Sequence, residues 1–238
     1  MKKIDVLDKG YVRLVDKLGD DLKPVNAAKV SYNKESKQFG EREEKLLKFL
    51  GRENHTSPFR HAILQFEIYA PLMVARQWWK YIIGSGHREF DNLQDPFTAW
   101  NESSRRYVTE QPEFYIPFDD EWRSAPENKK QGSGEPVDSE TGRFLTEELL
   151  EIVDNGQRMY EKAMELGIAA EQARLFLPAY GLYVRWYWTA SLQGVAHFLN
   201  QRLAHDAQKE IQLFAKAVYD LSAQEFPIAL NEMVKVNG

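Results

Sequence analysis

A mixed α+β fold in a single domain, with helices dominating, is the class this sequence predicts, on three observations. Residues Lys3 to Lys17 and Ala62 to Pro71 alternate apolar and polar side chains, as half-buried strands do. The stretches 42–53, 146–167 and 192–227 instead return to apolar residues at helical intervals. The polar, Gly/Pro-rich stretch that could divide the chain, Ser124 to Gly142, follows segments too poor in strand to close a core alone.

In order along the chain, "KIDVLDKGYVRLVDKLG" reads as two short strands around Asp8-Lys9-Gly10. "DDLKPVNAAKVSY" reads as a helix with Asp20 or Asp21 as its cap. "REEKLLKFLGRE" is an amphipathic helix with Leu46, Leu47 and Leu50 on one side. Pro58 in "HTSPF" interrupts helical geometry at Ser57, and "AILQFEIYAP" follows as a strand ending before Pro71. "LMVARQWWKYI" resumes helical spacing, placing Gln77 and Lys80 on one face. From Gly84 to Trp100 no period survives, which predicts a long loop; Ser124 to Gly142 predicts a surface excursion. "TEELLEIVDNGQRMYEKAMELG" is a helix capped at Thr146 or Thr141 and closed by Gly167. "AAEQARLFLP" is a short helix stopped by Pro178, "YGLYVRWYWTAS" fits either a strand or a buried helix, and Leu192 to Pro227 holds one or two long amphipathic helices.

Composition narrows the function. The chain has 238 residues, 43% of them hydrophobic, and a net charge of −5, which argues against coating nucleic acid through bulk electrostatics. The start, "MKKIDVLDKG", has no signal-peptide character, and no run is apolar enough for a membrane span, so the expected location is cytoplasmic. Cysteine is absent, which removes disulfides, thiolate metal sites and thiol nucleophiles together. The five histidines show no ligand spacing, His55 and His61 being six apart, so no metal site is expected.

Four arginines sit in apolar company: Arg76, Arg106, Arg174 and Arg202. A guanidinium cannot shed its charge, so burial demands an anionic or multiply accepting partner. Taken singly, each could be an internal ion pair or a stem reaching the surface; taken together, they suggest convergence on a phosphate or carboxylate ligand. The stretch "FTAWNESSRRYVTEQPEFYIP", Phe97 to Pro117, sets Glu102, Ser104, Arg105 and Arg106 among aromatic residues, as a pocket for something flat and anionic would. His197 and Gln201 share a face of a later helix, with Arg202 beside them; alone, His197 is as readily a packed histidine as a ligand contact.

The segments "HTSPFRH", "APLMVARQWW", "NESSRRY", "EFYIP", "ARLFLP", "WTASLQGVAHFLNQR" and "AHDAQKEIQ" together resemble the flavin-dependent thymidylate synthases, nearly end to end. The resemblance implies one α+β domain over residues 1–238, with a central, mainly antiparallel sheet flanked by long helices, assembling as a homotetramer with active sites at subunit interfaces. It also implies flavin adenine dinucleotide (FAD), NADPH as reductant, deoxyuridine monophosphate (dUMP) as substrate and 5,10-methylenetetrahydrofolate as carbon donor, without nucleic acid or membrane partners. Matched position by position, Gln77, Glu102, Ser104, Arg106, Arg174 and Arg202 fall on nucleotide-site positions, with Arg202 as the catalytic residue. Ser57, Glu102, Ser191, Gln193 and His197 fall where the family contacts the flavin.

One stretch departs from the family pattern. The family places Arg-His-Arg directly after its "ARQW-aromatic" segment, whereas Lys80-Tyr81-Ile82 follow Trp79 here and residues 78–100 separate Gln77 from Asn101. His87 and Arg88, or Lys80 in the nucleotide site, stand as alternative sources of the displaced contacts. Because the chain has no cysteine, it cannot activate uracil by thiolate addition at C6, and the flavin route implied by the resemblance needs none. Two other classes compete: a flavoprotein that oxidises NADPH without methylating, and a non-catalytic helical interaction protein. Thymidylate formation separates the first and flavin absorbance the second.

Overall fold

The computed structural model describes residues 2–83, 98–103, 111–127 and 132–235. The alternating N-terminal stretch forms β1 (Lys2–Val6) and β2 (Gly10–Leu18), an antiparallel hairpin in the expected place. α1 (Leu22–Lys29) and α2 (Glu41–Arg52) follow, and a 3-10 turn (Ser57–His61) begins where Pro58 forbids a continued α-helix. Strand β3 (Ile63–Pro71) runs without a linker into α3 (Leu72–Trp78), and α4 (Lys80–Ile83) starts after Trp79. Beyond residues 84–97 comes β4 (Ala99–Glu102), then the long helix α5 (Ser139–Glu165) and the short α6 (Ala170–Ala173). Strand β5 (Tyr183–Ser191) leads directly into α7 (Leu192–Arg202), followed by α8 (Lys209–Ala223) and α9 (Pro227–Met233).

The five strands make one antiparallel sheet in the order β1-β2-β3-β5-β4. One face carries Val12, Leu64, Phe66, Ile68, Trp186 and Trp188, all buried, and packs beneath the helices. The other face carries polar residues that satisfy one another: Arg13 and Tyr11 both donate to Glu67, and Arg13 also donates to the Tyr187 hydroxyl at 3.1 Å. Burial alone would raise the Glu67 pKa, but the hydrogen bonds from Arg13 and Tyr11 outweigh it and hold the carboxyl below its ordinary value. Among the described residues no helix is long and apolar enough to cross a membrane.

Several boundaries correct the sequence expectations. The 84–100 loop, as far as it is described, ends at Thr98: Ala99 to Glu102 pair with Trp186 to Thr189 as an edge strand. The ambiguous "YGLYVRWYWTAS" is a strand, because β3 on one side and β4 on the other satisfy its backbone. The excursion from Ser124 ends at Asp138, since Asp138, not Thr141 or Thr146, caps α5 by accepting from the Glu140 and Thr141 amides. That excursion is also tied down: Ser124 N donates to Glu135 O at 2.9 Å, Gly134 N to Ser124 O at 2.8 Å, and Val137 N to Trp122 O at 2.8 Å. Gly142 is required for this packing, because a Cβ there would lie 1.8 Å from the Asp119 carbonyl oxygen. At the other end of α5, Gly167 adopts φ +78°, the left-handed closing conformation expected of it.

Of the two expected caps, Asp20 accepts from Leu22 N at 2.9 Å at the start of α1, whereas Asp21 has a different partner. It makes no side-chain cap on α1; its carboxylate accepts from Ile228 N at 2.9 Å and Ala229 N at 3.0 Å, capping α9 across the fold. Asp21→Ala is therefore expected to cost about 1–2 kcal/mol, read as a lower urea midpoint at unchanged slope.

Between α1 and α2, Glu43 accepts from Lys29 and the Ser36 hydroxyl, which pull its pKa from 4.5 down to about 2. A carboxyl whose folded pKa is depressed stabilises the fold above its unfolded pKa and loses that contribution as pH falls through the folded value. Glu43→Gln should accordingly flatten the pH dependence of stability between about pH 5 and 2, and leave its shape above pH 6 unchanged.

Candidate active site

Two strand-to-helix junctions build the site. Pro71 ends β3 and the Leu72 amide donates to Leu182 O at 2.9 Å, so α3 springs from one end of the β3–β5 pair. At the opposite end the Ser191 hydroxyl caps α7 by accepting from Gly194 N at 3.0 Å, and Leu192 N donates to Ala62 O. The two helices therefore cross the same sheet face from opposite ends and meet over it. Trp78 fills the meeting point, stacked on Phe198 with ring centroids 4.4 Å apart and edge-on to Trp186 and Trp188 at 5.5 and 5.3 Å.

This wedge sets the next turn of chain. Tyr81, buried on α4, packs edge-on to Phe198 at 5.1 Å and to His197 at 5.7 Å. The Arg202 guanidinium lies over the same ring, 5.3 Å from its centroid. Burial pushes the Tyr81 pKa up, with the Arg202 charge opposing, so the ring stays neutral beneath the cation. Among the described residues no carboxylate lies within ion-pair distance of Arg202, and its Nε is buried without a hydrogen-bond partner. A fixed charge held this way is poised for an anion or a developing negative charge.

Gln77 joins from α3: its Nε2 donates to Gln208, which precedes α8, and to Met73 O. Gln193 and His197 lie one turn apart on α7, and Gln193 lines a small polar cavity of about 80 Å³ with Asn54, His55, Thr56 and Asn200. Arg174 occupies the 3-10 turn after α6, partly buried, with no carboxylate in ion-pair distance among the described residues; the neighbouring Leu175 and Phe176 are exposed.

A family model described as "Thymidylate synthase complementing protein" matches residues 13–228. The chain belongs to this family. It is 36% identical over 230 residues to the flavin-dependent thymidylate synthase of Wolbachia pipientis wMel, covering 97% of this chain and 75% of the relative. It is 38% identical to the enzyme of that name from Thermus thermophilus, covering 95% and 76%, and 35% identical to that of Thermosipho africanus, covering 97% and 93%. Among solved structures, a UMP/dUMP methylase from Streptomyces cacaoi bound with 5-Br dUMP superimposes with a TM-score of 0.78 at 24% identity, covering 99% of this chain and all of that one; this likeness establishes the shared fold.

Within this family member, the predicted residues divide into four groups. Gln193, His197 and Arg202 share α7, and Tyr81 joins His197 to Arg202; Gln77 reaches the residues just after α7 through Gln208. Ser57, Lys80 and Glu102 are exposed and, among the described residues, do not touch that cluster, and Arg76, expected in apolar surroundings, is exposed at the end of α3. Lys80 does not share a continuous helix face with Gln77, because α3 ends at Trp78. Ser191 is fully buried and its hydroxyl caps α7, so it acts here by aiming that helix. His87, Arg88, Ser104 and Arg106 lie outside the described residues.

The aromatics near "NESSRRY" also require correction. Trp100 stacks on Trp186 at 4.7 Å and meets Trp79 edge-on at 5.2 Å, while Phe114 packs with Val153, Leu177 and Leu182. They build the core, which the sheet register brings about and the local sequence does not reveal. Tyr81 and Gln208 were not singled out from the sequence; Tyr81 follows Trp78 by three residues and Gln208 lies within "AHDAQKEIQ".

Removing the wedge should test this construction. Trp78→Ala is expected to cost about 3–5 kcal/mol in chemical denaturation, because it empties the junction of sheet, α3 and α7. Trp79→Ala, at a 40% exposed position, should cost well under half of that.

Proposed function

We propose that this protein is a flavin-dependent thymidylate synthase, its residues 1–238 forming one catalytic domain. It would methylate C5 of dUMP to give thymidylate, with 5,10-methylenetetrahydrofolate as carbon donor and NADPH-reduced FAD as hydride source. The observation that carries the reading is the Arg202 guanidinium, held over Tyr81 with no carboxylate in ion-pair distance and its Nε buried and unpaired among the described residues. Family membership and the names of the relatives supply the chemistry that such a charge would serve.

Arg202 faces the pyrimidine, favours loss of the N3 proton and stabilises the resulting anion; its charge cannot be titrated away at any working pH. Tyr81 and Phe198 keep that guanidinium in place and limit the water around it. Arg174 and Gln77 hold the phosphate and sugar, with Ser104, Arg106, Glu102 and Lys80 assigned to the same nucleotide. Bidentate guanidinium contacts suit a phosphate, and a carboxamide fixed by Gln208 can orient a sugar hydroxyl.

The residues able to hold the flavin fit it in kind. Gln193 lines a polar cavity with His55 and Asn200, His197 stands on the same helix, and Arg202 lies at the end of it. Ser57, His87, Arg88 and Glu102 are proposed for its remaining contacts, and Ser191 for the direction of α7. When bound, FAD accepts reducing equivalents from NADPH and returns them as hydride, reducing the transferred one-carbon unit to methyl.

A homotetramer with sites at subunit interfaces agrees with the exposed apolar surface beside Arg174. Leu175 and Tyr180 are 83% and 71% exposed, more than an isolated surface leaves uncovered so close to a charged site.

The decisive assay is anaerobic, with FAD, NADPH, methylenetetrahydrofolate and dUMP, reading out thymidylate. The wild type should form product, and Arg202→Ala should lose about 100- to 1,000-fold in turnover while retaining its flavin. NADPH consumption without thymidylate would overturn the synthase reading and leave a flavin reductase, consistent with the Lys80-Tyr81-Ile82 departure. A preparation without flavin absorbance that forms no product would leave a non-catalytic protein.

A further inference from the structure

Six aromatic side chains run in ring-to-ring contact from the candidate site to the surface. Tyr81, beneath the Arg202 guanidinium, meets Phe198 at 5.1 Å, and Phe198 stacks on Trp78 at 4.4 Å. Trp78 meets Trp186 edge-on at 5.5 Å, Trp186 stacks on Trp100 at 4.7 Å, and Trp100 meets Trp79 edge-on at 5.2 Å. The far end opens to solvent: Trp79 is 40% exposed, whereas Trp78 and Trp186 are buried.

Packing explains these contacts but not the choice of ring. A buried indole N–H is a donor that needs an acceptor, so tryptophan suits a core best where one is in reach. The N–H groups of Trp78, Trp186 and Trp188 are buried with no hydrogen-bond partner among the described residues. A phenyl ring would give ring contacts without that desolvation cost. What the indole adds is ease of oxidation, since it yields an electron more readily than a phenyl ring. The unpaired N–H suits this too: an oxidised indole with no acceptor beside it keeps its proton and can be reduced again at once. Charge sets the direction. Arg202 cannot shed its proton and lies 5.3 Å from the Tyr81 ring centroid, so a positive hole is disfavoured at the inner end and driven toward water at Trp79.

We infer that Trp78, Trp186, Trp100 and Trp79 form a relay that carries one-electron oxidising equivalents from the Arg202 site to the surface. An oxidant arising at the site takes one electron from Trp78 across Tyr81 and Phe198 and is thereby reduced. Trp186 refills Trp78, Trp100 refills Trp186, and Trp79 refills Trp100, with no bond made or broken in these steps. At the surface the Trp79 radical cation takes one electron from a soluble thiolate, which becomes a thiyl radical, and the indole is restored. The oxidant is an oxygen-centred radical, of the kind that a reduced flavin generates with dioxygen; in that respect alone the inference rests on the proposed function.

The test injects a hole at the inner end without any flavin. The chain has no cysteine, so Gln201→Cys, at an exposed position beside Arg202, attaches a ruthenium polypyridyl photo-oxidant at one place in the full-length chain. After flash oxidation of the label by a soluble electron acceptor, transient absorption should show an indolyl radical. Peptide mass spectrometry after repeated flashes should find oxidation concentrated at Trp79. Trp100→Phe keeps a ring against Trp186 and should abolish that oxidation, while Trp79→Phe should lengthen the lifetime of the radical. Trp122→Phe, off the path, should change neither readout. If Trp100→Phe does not fold, the lifetime in Trp79→Phe still decides, because Trp79 lies at the surface. Absence of an indolyl radical, oxidation of Trp79 that persists in Trp100→Phe, or an unchanged lifetime in Trp79→Phe would overturn the inference. None of these outcomes depends on whether flavin binds or thymidylate is formed.

Discussion

Trp78 is the contact on which the rest of the site depends. It is fully buried and joins three elements distant in sequence: β5 through Trp186 and Trp188, α7 through Phe198, and α3, which carries it. An indole buries more apolar area than any other side chain, and offset or edge-on ring contacts add a directional preference to that area. The wedge therefore attaches two helices to the sheet and also sets how far apart they lie. Tyr81, three residues on, inherits its position from Trp78, and Arg202, one turn beyond Phe198, inherits its position from α7.

The arginines show how the same side chain serves opposite ends. Arg13 and Arg123 each meet a carboxylate, Glu67 and Glu210, and each is further bonded to a hydroxyl, so their charges are consumed in tying strands and loops together. Arg202 lies instead over a neutral ring, partly buried, with its Nε buried and unpaired among the described residues. A partly desolvated cation without a counter-charge is costly, and folds keep one where a ligand or a developing charge returns the cost. Packing supplies what is needed for this arrangement, since the Trp78–Phe198 stack holds Tyr81 against the desolvation it must tolerate.

The polar face of the sheet and the 111–137 segment share a further feature: their hydrogen bonds reach across the chain. Tyr183 donates to Asp8 in the β1–β2 turn, Tyr69 donates to Glu113, and Lys9 Nζ donates to Phe114 O at 3.0 Å. The first ties the N-terminal hairpin to β5, the second ties β3 to the chain that follows the "NESSRRY" block, and the third ties the hairpin to that same chain. The stretch from Ser124 that composition marks as a loose excursion is tied to itself and to its flank, Ser124 Oγ donating to Glu135 O and Val137 N to Trp122 O, while Trp122 and Arg123 just before it reach Thr146 and Glu210.

Local periodicity and turn chemistry were enough to read the hairpin, α2, β3, the long α5 with its closing Gly167, and the helical C-terminal half. Each of these depends on residues a few positions apart, whose side chains share a face by backbone geometry alone. The family was legible from motifs spread along the chain, and the nucleotide-site roles of Gln77, Arg174 and Arg202 are what that resemblance implies. What no local pattern held was partnership. Asp21 caps α9 rather than α1, Trp100 stacks in the core rather than lining a pocket, Ser191 aims α7 from within, and Tyr81 carries Arg202. The first follows from the packing of α9 against the chain after β2 and the second from the pairing of β4 with β5; the last two follow from the antiparallel pairing of β3 with β5, which brings residues more than a hundred positions apart into contact. That pairing is a long-range choice, made by the sum of buried surfaces, and only the folded chain records it.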